Sequence, residues 1–254
     1  MDLFQKKNII VLSIIIFCLC ACTRDDKGST DEGSMQPTDG YPFLTSQEEI
    51  KQLLKEKCVD TITFRNGETV ADIGAGNGYL EALLSMYNDS ITFYIQDIDS
   101  SVCNQKTIDE VVDFYEKVNG TPFINRFIVI NGTDSTTNLP DNTFDKILML
   151  NTYQYIKKPK GFMLDVKEKL KNDGLLYIIN PQSEDYEYLN TIRKKYGWNA
   201  SPLEKEISDI IDCGFELIRI SRNWNDEGHS NPYIMVFKKK KIPSPDMLHM
   251  SSPI

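Results

Sequence analysis

Val70-Ala71-Asp72-Ile73-Gly74-Ala75-Gly76-Asn77-Gly78-Tyr79-Leu80 places an acid two residues before the first of three alternating glycines. The apolar residues ahead of it read as a buried strand, and those after it as a helix. Glycine lets the backbone turn tightly and lets a ligand approach with no Cβ in the way. The start of a helix offers free backbone N–H groups to such a ligand. The spacing Asp-x-Gly-x-Gly-x-Gly differs from the Gly-x-Gly-x-x-Gly of dinucleotide folds. A second acid, Asp97, stands twenty-five residues after Asp72, at the end of the next apolar run. A carboxylate there can accept hydrogen bonds from two neighbouring hydroxyls. In the competing reading, Asp97-Ile98-Asp99-Ser100 opens a helix, with Asp99 or Ser100 as its cap.

Two further polar stretches follow apolar runs. Thr133-Asp134 reads either as a contact to a ligand or as a loop ahead of the Pro140-Asp141-Asn142 turn. Asn151-Thr152-Tyr153-Gln154-Tyr155-Ile156 supplies Tyr153, Gln154 and Tyr155 as candidates for touching a reacting substrate, although both tyrosines read equally as core aromatics. The chain has two histidines, His229 in a loop and His249 in the tail, so no histidine base stands in the 151–155 segment. No spacing suits a metal. Cys58, Cys103 and Cys213 are far apart and read as small buried apolar residues.

These positions need a scaffold, and the patterning supplies one. Ser46-Gln47-Glu48-Glu49 is a capping box that opens a helix to about Cys58. Strands are expected at 69–73, 91–96, 127–130, 144–150 and 175–179. Helices are expected near 79–86, 102–118, 162–170 and 184–196, and from Pro202 to 213. Asn172-Asp173-Gly174 reads as the turn that ends one of these helices. Two last strands, 215–222 and 232–239, have no helix between them and must be antiparallel. Alternating strands and helices otherwise mean a parallel sheet covered on both faces. Ligands of such sheets lie beyond the carboxyl ends of the strands, where strand order reverses.

The glycine turn, Asp97, the Leu139-Pro140-Asp141-Asn142-Thr143-Phe144-Asp145 approach to the fourth strand and the closing hairpin together resemble the class I S-adenosylmethionine-dependent methyltransferases. The resemblance runs from about residue 49 to 239. It implies an α/β fold, a Rossmann-like seven-stranded sheet with helices on both faces and an antiparallel closing hairpin. It also implies S-adenosyl-L-methionine as cofactor and an unidentified, small-molecule methyl acceptor. Gly74, Ala75, Gly76 and Gly78 would then wrap the amino-acid end of the cofactor, with Asp72 acting through the turn's hydrogen bonds. Asp97 would take the ribose hydroxyls, Ile98 would line the adenine, Thr133 or Asp134 would reach its amino group, and Asn151 would complete the set. Many members acting on small molecules carry a histidine pair where Gln154 and Tyr155 stand, so this chain lacks an evident base. No Asn-Pro-Pro-Tyr motif follows the fourth strand. The alternative is a catalytically silent methyltransferase-fold lipoprotein with a binding or accessory role at the cell envelope. A nicotinamide oxidoreductase fits least, given the glycine spacing and the hairpin.

The remainder of the chain concerns location. At 254 residues and 41% apolar content, it can bury one sizeable core. Lys6 and Lys7 precede a short apolar run, the pattern of an export signal over 1–21. Leu19-Cys20-Ala21-Cys22 resembles a bacterial lipobox, which would make Cys22 the lipidated residue and the anchor to the outer membrane. The acidic pair Asp25-Asp26 resembles surface-export signals of Bacteroidetes lipoproteins. Residues 22–44 then form a disordered tether, 45–241 the domain and 242–254 a tail. A plain signal peptide or an uncleaved anchor is the competing reading, and a start at Met35 would instead give a cytoplasmic enzyme. Loss of 1–21 removes a net +1 from the formal charge of −9, leaving about −10. That balance disfavours nucleic acid as a partner. Intact-mass analysis of the natural protein is expected to show a chain beginning at an acylated Cys22; a chain beginning at Met35 would refute the anchor.

Overall fold

The computed structural model describes residues 43–180, 186–199, 201–224 and 230–241. The expected signal segment, Cys22, Met35, all of the tether before residue 43, His229 and the tail with His249 lie outside the described residues. The chain divides into two units, residues 1–50 and 51–254. In the first, the Ser46 hydroxyl accepts the Glu49 amide at 3.5 Å, the first half of the expected capping box, and α1 (Gln47–Glu56) begins.

The second unit carries β1 (Thr69–Ile73), α2 (Tyr79–Ser85), β2 (Thr92–Asp97), α3 (Gln105–Asn119), β3 (Arg126–Asn131) and β4 (Phe144–Leu150). After them come α4 (Pro159–Lys169), β5 (Leu170–Asn180), α5 (Tyr186–Tyr196), α6 (Leu203–Asp212), β6 (Phe215–Trp224) and β7 (Ser230–Lys239). The strands form one seven-stranded sheet in the order β3-β2-β1-β4-β5-β7-β6. Neighbours from β3 to β5 are parallel, and β7 runs antiparallel to both β5 and β6. The chain winds outward from β1 to β3, then restarts at β4 and winds the other way. Right-handed crossovers therefore put α2 and α3 on one face and α4 on the other. The reversal falls between β1 and β4, so the crevice for a ligand opens at their carboxyl ends. β1 is buried from Val70 to Ile73. A central parallel strand covered on both faces is normally a continuous apolar run. Asp72 breaks that run.

Several boundaries differ from expectation, each for a local reason. β5 starts at Leu170 and not 175, and the Asn172-Asp173-Gly174 turn lies inside it as a bulge, because Phe144 pairs with Leu170 while Lys146 pairs with Leu175. A Cβ on Gly174 would lie 2.7 Å from the Phe144 carbonyl oxygen, so glycine serves a close strand approach there and not a helix end. α3 is capped by Asn104, whose Oδ1 accepts the Thr107 amide at 3.0 Å, and not by Asp99 or Ser100. Asp99 closes its own small turn on the Ser101 amide at 2.9 Å. Pro202 stands just before α6 as its cap residue and not within the first turn.

At the opposite end of the sheet, Asp145 ties three strands together. Its carboxylate accepts the Thr69 amide at 2.8 Å and the Lys171 ammonium at 2.8 and 2.9 Å. Burial pushes this carboxyl up, but the bonds from Lys171 and Thr69 outweigh it and hold the group below its ordinary value. A lowered folded value means stability that is present above the unfolded value and lost as pH falls through the folded one. Asp145→Asn is expected to cost about 1–2 kcal/mol at neutral pH. Urea denaturation should show that deficit shrinking as both proteins are taken from pH 6 to pH 3.

Candidate functional site

The site begins where β1 leaves the sheet. Gly74, Gly76 and Gly78 have φ of +81°, +58° and +75°. These left-handed values are costly for residues with a Cβ. The turn is fastened to the carboxyl end of β2. The Gly74 and Ala75 amides donate to the Gln96 carbonyl at 2.8 and 3.0 Å, and the Gly76 amide donates to Asp97 Oδ2 at 3.0 Å. Gly78 N–H bonds the Ala75 carbonyl at 3.2 Å, and Asn77 Oδ1 accepts the Tyr79 amide at 3.2 Å. The turn uses the Gly74, Ala75, Gly76 and Gly78 amides to hold its own shape, and of the amides that open α2 the Tyr79 one is taken by Asn77. Gly74 has a second constraint: a Cβ there would lie 2.3 Å from Thr152 Oγ1, so the turn after β1 and the segment after β4 touch at this glycine.

Asp97 combines the two roles weighed for it in the sequence. Its Oδ1 accepts the Asp99 amide at 2.9 Å, while Oδ2 takes Gly76. A carboxylate has about four acceptor positions, so two remain for further donors. Ile98 follows with 63% of its surface exposed, an apolar side chain left in the open beside Asp97. Thr133 is occupied within its own loop, where its Oγ1 accepts the Ser135 and Thr136 amides at 3.2 and 3.1 Å, and Asp134 is exposed. Asp165 of α4 anchors that loop by accepting the Thr137 amide and hydroxyl at 2.9 and 2.7 Å. No sequence signal singled out Asp165.

Asp72 and Glu81 are both buried, with 3% and 0% exposure. Burial raises the Asp72 carboxyl well above its ordinary value, and the charges of Glu81 and Asp97 raise it further. The Ile73 amide opposes this. The Cys103 thiol, behind the same group, is pushed up to about 12 by burial and then by Asp97 and Glu81.

The segment after β4 splits its three candidates. Asn151 has φ +54° and donates its amide to the Ile179 carbonyl at 2.8 Å, which joins it to β5. Tyr153 is turned inward, 1% exposed, and burial raises its phenol above the ordinary range. Gln154 and Tyr155 stay half-buried. The Gln154 carbonyl accepts the Asn199 amide at 2.7 Å. Tyr155 meets Trp198 edge-to-face at 4.6 Å, and Trp198 stacks on Tyr196 at 4.8 Å. Beneath this panel, Glu206 of α6 accepts Asn180 Nδ2 at 2.7 Å and also the Tyr233 hydroxyl. Burial raises the Glu206 carboxyl from 4.5 to about 7. Sequence reasoning missed Asn180, Glu206 and Tyr233, since each reads as an ordinary helix or strand residue until the sheet assembles.

Among the described residues, the buried polar atoms left without a hydrogen-bond partner include Asp72 Oδ1, Gln96 Nε2, Asn151 Oδ1 and Asn180 Oδ1. They stand within one residue of the carboxyl ends of β1, β2, β4 and β5, which are consecutive in the sheet. An unpaired buried polar group costs about 1–3 kcal/mol, and native folds keep few of them. Their collection on one rim marks where a polar ligand fits. A cleft of about 330 Å³ lined by Leu189, Asn190, Arg193, Pro202, Glu204 and Lys205 shares no residue with this rim. Among the described residues no group of His, Cys, Asp and Glu could hold a metal ion, and no helix is long and apolar enough to cross a membrane.

Residues 71–178 match the protein family described as methyltransferase domain. Among solved structures, the chain is similar to an S-adenosylmethionine-dependent methyltransferase of Methanosarcina mazei, with TM-score 0.54, 16% identity, 73% of this chain and 98% of that one covered. It is similar also to mitomycin 7-O-methyltransferase, with TM-score 0.55, 16% identity, and coverage of 74% and 54%. The YcgJ protein of Bacillus subtilis gives TM-score 0.50, 16% identity, and coverage of 78% and 100%. No curated protein sequence matches. The chain thus has the Rossmann-like methyltransferase fold.

The raised carboxyl of Glu206 has a consequence for stability. A folded value above the unfolded one leaves stability intact below the unfolded value and loses it as pH rises through the folded one. Between about pH 4.5 and 7 the wild type should lose roughly 3 kcal/mol on this account. Glu206→Gln is expected to flatten that slope in denaturant melts taken across the same range.

Proposed function

We propose that the protein transfers a methyl group from S-adenosylmethionine to a small-molecule acceptor. The observation that carries this reading is the rim of unpartnered polar atoms along β2-β1-β4-β5, continuous with the glycine turn. The residues there fit the cofactor's polarity. Asp97, with two acceptor positions left, suits the ribose diol, and the exposed Ile98 beside it suits the adenine face. Gln96 Nε2 is a buried donor without a partner on the same side. The glycine turn and Asp72 receive the amino-acid end, the Thr133-Asp134 loop flanks the base, and Asn151 sits between the turn and β5.

When bound, S-adenosylmethionine supplies a methyl group already activated by its sulfonium sulfur. The chain's part is then chiefly to align the acceptor, and alignment alone can supply much of a rate enhancement. Gln154, whose carbonyl accepts the Asn199 amide, and the adjoining Tyr155–Trp198–Tyr196 panel form the surface for that acceptor. An aromatic wall with one amide beside it suits a flat, weakly charged molecule. In the same proposal the enzyme is held at the cell envelope through Cys22.

Titration calorimetry tests the cofactor assignment. The wild type should bind S-adenosylmethionine, Asp97→Ala should weaken binding at least about tenfold, since two hydrogen bonds at about 1 kcal/mol each are lost, and Lys205→Ala, outside the rim, should not change it. Equal affinity in the wild type and Asp97→Ala would refute the assignment.

A further inference from the structure

Asn180 closes β5 with 2% of its surface exposed, and its side-chain amide is only half satisfied. Nδ2 donates to Glu206 Oε1 at 2.7 Å, while Oδ1 has no partner. Chemistry decides which end of the amide faces Glu206. A carboxylate offers acceptor positions alone, so the NH₂ end must turn to it and the carbonyl end away. The other carboxylate oxygen, Oε2, meets the Tyr233 hydroxyl. A hydroxyl can donate to the anion or accept from the acid, so Oε1 remains an acceptor for Asn180 in both protonation states. Glu206 and Tyr233 are themselves buried, and Tyr233 is the β7 strand partner of Asn180. The amide is therefore fixed, with its bare carbonyl oxygen on the side away from Glu206.

Position assigns that oxygen to the acceptor and not to the ribose. β5 stands three strands from β2 in the sheet, roughly 14 Å away at the usual strand spacing, so Asn180 is remote from Asp97. Asn180 directly follows Ile179, whose carbonyl takes the Asn151 amide. That bond sets it beside the segment that carries Gln154 and Tyr155. Tyr153 of the same segment lies near enough to Glu206 for the charge of that carboxyl to act on its phenol. Asn199, next to Trp198 of the aromatic panel, is tied by its backbone amide to the Gln154 carbonyl. A buried acceptor with no donor is costly, and a site built around one rejects ligands that cannot supply the donor.

We propose that Asn180 Oδ1 selects the methyl acceptor by taking a hydrogen bond from its hydroxyl or amino group, with Glu206 and Tyr233 positioning the amide. This deepens the reading above and rests on it, since Tyr155, Trp198 and Tyr196 are taken as the acceptor surface. The substrate class is then a flat molecule that bears an O–H or N–H donor. A molecule of the same shape without that donor leaves Oδ1 unpaired and binds more weakly.

Fluorine NMR titration of the full chain, with S-adenosylhomocysteine present, tests this with para-fluorophenol, para-fluoroaniline and para-fluoroanisole as probes. The wild type should bind the phenol and the aniline at least about fivefold more tightly than the anisole, the ratio given by one hydrogen bond of about 1 kcal/mol. Asn180→Ala should bring the three affinities to within about twofold of one another. Glu206→Leu, which frees the amide to turn, should narrow the preference while the anisole still binds; a merely structural loss would weaken all three probes alike. Equal affinities in the wild type overturn the inference, as does a preference unchanged in Asn180→Ala. If neither variant folds, the wild-type comparison alone decides. Failure to bind S-adenosylhomocysteine would refute the cofactor reading and this inference with it. With S-adenosylhomocysteine bound, equal affinity for the probes or no binding of any of them refutes the inference alone.

Discussion

The hydrogen bonds from the glycine turn to the end of β2 are what the rest of the site depends on. Gly74 and Ala75 share the Gln96 carbonyl, and Gly76 reaches the Asp97 carboxylate. They fix the path by which the chain leaves β1, and so the start of α2. They engage the Gly74, Ala75 and Gly76 amides within the turn itself, ahead of α2. The contact of Gly74 with Thr152 then couples this turn to the segment after β4. A change in either loop must be felt by the other, because no Cβ fits between them.

The strand-order reversal explains why the polar atoms without partners collect where they do. Along β2-β1-β4-β5 the strands pair through their interiors, and the unpartnered side chains stand where those strands end. Asp72, Gln96, Asn151 and Asn180 are polar residues at those ends, in a layer that is otherwise apolar. At the amino ends the polar groups are matched. Asp145 takes Thr69 and Lys171, and Lys146 takes Glu68. One end of the sheet is built for stability and the other for a ligand.

What was legible in the sequence was local. Asp72 and the three glycines lie within seven residues, and Asp97 follows after one strand period, so spacing alone placed them. The alternation of strands and helices and the unconnected last pair likewise gave the sheet. Glu206, Asn180 and Tyr233 were not legible, because they meet across 26 or 27 residues of chain. Glu206 also sits among other acids of α6, where a solvated face was the natural reading. The bulge at Gly174 misled for a related reason: the same residues make a turn or a bulge, and the choice belongs to the partner strand. Tyr153 and Tyr155, alike in sequence, part because 3₁₀ geometry turns one into the core and the other towards Trp198.

Both flanks of the rim hold a buried acid with a raised carboxyl, and neither acid has a cation as its main partner. Asp72 is raised by burial and by its acidic neighbours, and Glu206 by burial against the donors Tyr233 and Asn180. Their environments differ in a way that matters. Glu206 has two hydrogen-bond donors, which favour its anion and return its value to near neutrality. Asp72 has the acidic neighbours Glu81 and Asp97, which disfavour its anion. Glu206 can change protonation near neutral pH with its hydrogen bonds in place. The carboxyl ends of the strands thus carry buried acids raised by burial, whereas towards the amino ends Asp145 and Glu68 are paired with Lys171 and Lys146.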